Sequence, residues 1–150
     1  MPHRDPNLLG RFIERYVNRE NPGDERFAAF SRAYVDNAAS DNDRAALADL
    51  GRGDALGDGF SLYVNAREHY GAILTITREG AAVLGLSIDD PDGSPRVQAQ
   101  ARALIDQLCA EFSSPAGCAG VELAPPQSRQ EWEDDGLVQI RVGELPREAP

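Results

Sequence analysis

The chain contains no lysine. All 15 of its basic residues are arginine, set against 25 carboxylates for a net charge of −10. Arginine stays charged in proteins, so the chain offers no Schiff-base amine, no lysine general base and no Walker-type lysine for phosphates. Histidine is nearly absent: His3 lies at the terminus and His69 in a short connector, which excludes a paired-histidine metal motif on one helix. Cys109 and Cys118 are too few for a disulfide scaffold and read as reduced thiols. No apolar run approaches the roughly 20 residues that cross a bilayer, and Met1-Pro2-His3-Arg4-Asp5 lacks the charged-then-apolar layout of a signal peptide. These absences lead us to expect a cytoplasmic protein without a membrane partner. A pI near 4.6 also repels phosphate backbones, so no nucleic-acid partner is expected and a basic protein partner is favoured. The missing lysine, beside abundant Ala, Arg, Gly and Asp, reads as the product of GC-rich codons in a high-GC bacterium; the alternative is avoidance of lysine modification or conjugation.

Hydrophobic residues at 41% and charged residues at 27% give the balance of a globular domain. We expect a single domain over 1–150, with a helical part at about 7–50, a sheet-plus-helix part at about 59–143 and a frayed tail at 146–150. Leu8, Leu9, Phe12, Ile13, Tyr16 and Val17 recur at helical spacing until Asn21-Pro22-Gly23. Asp24 is placed to cap a second helix carrying Phe27, Phe30 and Tyr34, and Asp41 or Asp43 a short third through Leu47 and Leu50. After the glycine-rich joint Gly51 to Gly59 the period changes to 2. Phe60, Leu62 and Val64, then Ala72, Leu74 and Ile76, then Ala82, Leu84, Leu86 and Ile88 predict an antiparallel three-stranded meander. Ser94-Pro95 opens the strongest helix, whose stripe of Val97, Ala101, Leu104, Ile105, Leu108 and Phe112 is expected to cover the sheet's apolar face. Strands at Val121 to Leu123 and at Val138, Ile140 and Val142 complete an α+β fold: N-terminal helices, a β-meander, one long amphipathic helix packed on the sheet, and C-terminal strands.

Two acidic clusters are the candidate partner-binding residues. In the long connector Ala124 to Gly136, Ser128 to Glu131 fits a capping box, and the resulting turn presents Trp132 among Glu131, Glu133, Asp134 and Asp135. An aromatic supplies buried area and the acids supply steering, as a hot spot for a basic partner requires; the alternative is that Trp132 folds back as a lid on the core. Asp89, Asp90 and Asp92 form the second cluster, which lacks the spaced ligands and closing glutamate of a calcium loop. The run Gly51-Arg52-Gly53-Asp54-Ala55-Leu56-Gly57 has the wrong glycine spacing for a nucleotide loop. No nucleophile, base and orienting group stand out as a set, so no catalytic residue, cofactor or metal is assigned. A Cys118–His69 pair and a Glu122–Asp135 pair are possible on paper and supported by nothing local.

In layout the stretch from Phe60 through Trp132, with Gly71-Ala72-Ile73-Leu74-Thr75-Ile76 and Ala81-Ala82-Val83-Leu84-Gly85-Leu86-Ser87-Ile88 leading into the helix of Leu104, Ile105 and Leu108, resembles the immunity proteins that bacteria carry against polymorphic or contact-delivered toxins. The resemblance implies a non-catalytic protein that occludes the active site of a cognate, basic toxin. The alternatives are an acidic secretion chaperone or adaptor, which would hold an effector's segment along a sheet edge or apolar groove, and a small ligand-binding domain or enzyme.

Overall fold

The computed structural model describes residues 5–49, 59–88, 95–120, 123–134 and 138–146. Among them, three helices precede three strands, and a long helix, a strand, a short helix and a last strand follow. The class is α+β.

Helix α1 spans Pro6–Tyr16, with proline in its first turn and the Asp5 carboxylate accepting the Asn7 N–H at 2.8 Å. Helix α2 spans Arg26–Tyr34; Asp24 sits ahead of it, accepts the Arg26 N–H at 2.9 Å and pairs with the Arg26 guanidinium at 2.8 Å. Helix α3 spans Asp41–Ala48, and its cap is Ser40, not Asp41 or Asp43. The reason is a capping box. Ser40 Oγ accepts the Asp43 N–H at 3.2 Å while Asp43 accepts the Ser40 N–H at 3.0 Å, a reciprocal pair that an aspartate cap would forgo. Asp43 also receives Arg32 of α2 through two hydrogen bonds, 2.8 and 2.6 Å, which tie α3 to α2. That guanidinium, and then the Ser40 N–H, hold the Asp43 carboxyl well below the usual carboxylate range.

The meander forms as its period-2 pattern requires. Strands β1 (Phe60–Val64), β2 (Gly71–Ile76) and β3 (Ala82–Ser87) pair antiparallel in that order, so that among the described residues β3 is an edge strand. The register puts Phe60, Ile76 and Ala82 in one row, Leu62, Leu74 and Leu84 in the next, and Val64, Ala72 and Leu86 in a third, all on one face. Gly80 closes the β2–β3 turn at φ 85°, a left-handed conformation that glycine adopts without penalty.

That apolar face is covered mainly by the N-terminal helices. Leu9, Phe12, Ile13, Tyr16 and Val17 join Phe27, Phe30 and Leu47 in one buried cluster with the strand rows, and Phe30 meets Phe60 edge-on at 6.2 Å. Helix α4 (Pro95–Glu111) reaches this core chiefly through Phe112, just past its end, whose ring lies 5.6 Å from Phe12. Its terminus is fixed by Ser113 at φ 53° and by the Ser114 N–H donating back to the Cys109 carbonyl at 2.9 Å. Tyr16 donates to Glu111 at 2.7 Å, and Arg15 pairs with the same carboxylate at 3.0 Å, locking α1 to α4. The expectation that the α4 stripe covers the meander is therefore corrected: Ile105 and Phe112 are buried, but Val97, Ala101, Leu104 and Leu108 are half-exposed. The bulkier aromatic stripes of α1 and α2 fill that face first.

Helix α4 packs instead on a second sheet, in which β4 (Ala116–Ala119) pairs antiparallel with β5 (Ile140–Gly143). The strand expected at Val121 to Leu123 is thus displaced toward the N-terminus; Leu123 is not in a strand, and 121–122 lie outside the described residues. The cause is visible at Gly117, where an added Cβ would come within 2.6 Å of Ile105 Cγ2. Small residues let β4 lie directly against α4, and Ala-Gly-Cys-Ala carries none of the β-branched alternation that marks a strand in sequence. Helix α5 (Arg129–Glu133) lies in the connector between β4 and β5. The joint 51–58, the Ser94 cap and the tail 147–150 lie outside the described residues.

Candidate functional site

A cavity of about 580 Å³ opens between the meander and the second sheet, within the usual size range of ligand sites, about 300–1,000 Å³. Every residue from Ala81 to Leu86 lines it. Side chains in a strand alternate between faces, so a wall made by six consecutive residues is the strand's edge. The same holds opposite, where Ala116, Gly117, Cys118, Ala119 and Gly120 all line the cavity. Among the described residues each strand has one neighbour, β2 for β3 and β5 for β4. The cavity is a slot between two strand edges. Its third wall is the α4 stripe of Ala101, Leu104, Ile105, Leu108 and Phe112, and its fourth is Pro125, Pro126 and Trp132.

The connector that carries the fourth wall is pinned to the meander. The Gln127 carbonyl accepts the Arg78 N–H at 2.8 Å, and Gln127 Nε2 donates to Ser61 Oγ at 3.2 Å, which in turn contacts Thr75 Oγ1 at 2.8 Å. This explains why Ser61 and Thr75 are buried on the sheet's second face. The Arg129 N–H donates to Glu79 Oε1 at 2.9 Å. Against the opposing effect of its burial, that bond holds the Glu79 carboxyl below its ordinary value.

Helix α5 forms as the capping pattern predicts, with Ser128 Oγ accepting the Glu131 N–H at 3.1 Å. Trp132 is half-buried and faces the slot, and the Arg141 guanidinium lies 5.5 Å over its ring while donating to its carbonyl at 3.0 Å. Glu131 is half-buried; Glu133 and Asp134 are exposed, and Glu133 pairs with Arg129 at 3.2 Å. The sequence reading ringed Trp132 with acids and missed Arg141, which arrives from β5 through the fold. Asp135, Asp89, Asp90 and Asp92 lie outside the described residues.

Among the described residues, both cysteines line the slot. Burial pushes the Cys109 thiol up, with nearby Asp106 adding to it, and burial does the same to Cys118, which favours the thiol over the thiolate at both. His69 stacks 6.1 Å from Tyr16, while Cys118 sits on β4 opposite Arg141. Glu122, like Asp135, lies outside the described residues. No group of three His, Cys, Asp or Glu side chains among the described residues comes together as a metal site. Among them, too, no helix is long and apolar enough to cross a membrane. No family model, curated protein or solved structure matches the chain.

Proposed function

We propose that the protein is a non-catalytic adaptor or chaperone that holds an apolar segment of a partner protein in the slot between β3 and β4, acting in the bacterial cytoplasm. The observation that carries this reading is the apolar slot itself, with Trp132 in its wall and two strand edges facing it. Apolar surface kept open to this extent usually marks a binding site. A second reading, occlusion of a folded basic toxin, draws on the net charge of −10 and on the exposed Glu133 and Asp134 beside Trp132.

Trp132 is the sole tryptophan, so its emission reports the slot directly. Short valine- and alanine-rich peptides with arginine at each end should shift that emission saturably. A panel that leaves it unmoved refutes the adaptor reading. Salt separates the two: an adaptor's dissociation rate is set by apolar contact and stays constant as salt rises, whereas an occluder steered by exposed carboxylates associates more slowly.

A further inference from the structure

We propose that the slot takes an extended segment as an added β-strand, hydrogen-bonded to β3 and lying beside β4, with a middle that is apolar on both faces and flanks that are basic. This deepens the adaptor reading and rests on it.

The backbone phase of β3 carries the argument. The Thr77 N–H donates to the Ala81 carbonyl at 2.9 Å, so those two residues form a hydrogen-bonded pair. In an antiparallel ladder such pairs alternate with unbonded ones. With Thr75 opposite Val83 and Ile73 opposite Gly85, the bonded pairs continue there, and Leu84 and Leu86 belong to the unbonded set. Their N–H and C=O groups therefore point away from β2, into the wall of the slot. A strand laid about 4.8 Å away would engage them in sequence.

The walls define what such a strand must be. One of its faces would meet Leu104 and Leu108 of α4, the other Pro126 and Trp132. A strand apolar on both sides has the pattern of a buried central strand. The β4 edge, built from Ala116 to Gly120, contributes little bulk, so the incoming segment must supply it. Outside the slot a chain of charge −10 attracts cationic ends and repels acidic ones.

The test uses the intact chain and a peptide of valine and alanine with an arginine pair at each end. Two twins carry the same side chains with alternate amides N-methylated, one in each phase. The unmodified peptide should shift Trp132 emission and slow amide exchange at Leu84 and Leu86, and at least one twin should bind at least about tenfold more weakly, ~1.4 kcal/mol. Equal binding by all three overturns strand addition and leaves the adaptor reading standing. Binding by none overturns both. A chain that sediments as a dimer and is dissociated by none of the peptides assigns the slot to a second copy, which also overturns the proposal.

Discussion

Replacing Gly85 with valine should separate binding from folding. Gly85 pairs with Ile73 across the ladder, and both line the slot. A Cβ built at 85 would touch nothing but the Ile73 side chain, nearest at 3.6 Å, which is ordinary van der Waals contact. Glycine in a strand interior is worth about 0.5–1 kcal/mol less than alanine, and β-branched residues suit the pleated surface better still. Gly85→Val should therefore leave stability unchanged or raise it by up to about 1 kcal/mol. Its isopropyl group, however, projects from the same face as Val83 and Ile73, where it crowds the side chains that the incoming segment places on that face. The peptide affinity should fall by about tenfold or more, ~1.4 kcal/mol, with Gly85→Ala in between. Denaturant midpoints and Trp132 titrations on the same preparations read the two quantities. Unchanged affinity in a folded Gly85→Val protein would show that the segment does not pass Gly85. Loss of folding would refute the packing account of β3.

The two ends of the α4 region should respond oppositely to truncation: Phe112→Ala should cost about 3–5 kcal/mol by denaturation because its buried ring meets Phe12, whereas Leu104→Ala, half-exposed at the slot, should cost well under ~2 kcal/mol and weaken peptide binding instead. Gly117→Ala should loosen α4 from β4 at a cost of about 1–3 kcal/mol, since its Cβ would sit 2.6 Å from Ile105 Cγ2; an unchanged midpoint would mean the two elements shift apart freely. The Asp43 carboxyl is depressed in the folded protein, so its contribution is fully present above the unfolded value of about 3.9 and is lost as pH falls through the folded one. Asp43→Asn should lower stability at neutral pH and flatten its decline below about pH 4, as acid titration followed by circular dichroism would report.

The N-terminal helices and the meander were legible because their signals are local. The recurrence of Phe12 with Tyr16, and the alternation of Leu62 with Val64, each name a buried face without reference to the rest of the chain. Strand β4 was not legible, since Ala116 to Ala119 has neither alternation nor branching and exists as a strand because Gly117 fits beneath Ile105. The destination of the α4 stripe was invisible for a related reason: amphipathicity shows that a face seeks apolar company, and cannot say which of two sheets provides it. At the candidate site, Trp132 and the Ser128 cap were readable from thirteen consecutive letters of connector, Ala124 to Gly136. Arg141 over the indole and the Gln127 anchor on Ser61 were not, because each joins segments far apart in the chain.

An exposed apolar edge strand is a hazard, since its free backbone groups template sheet growth with any similar chain. Val83 to Ser87, where Leu84 and Leu86 turn their backbone groups away from β2, carries no charge and no proline, the devices that usually blunt such an edge. What guards it is its surroundings: α4 stands along one side, β4 faces it, and Pro125, Pro126 and Trp132 close the other. A second sheet approaching edge-on would collide with these walls, whereas a single extended strand entering along the slot would not. The same walls that deny β3 to sheet-on-sheet association therefore admit a strand from one partner at a time. Opening a wall should convert selectivity into aggregation. A Pro125→Gly, Pro126→Gly double variant, which frees the connector beside Trp132, should stay folded yet self-associate on standing, and the peptide should suppress that association by occupying the edge. Self-association that the peptide does not slow would locate the sticky surface elsewhere and remove β3 as the edge at issue.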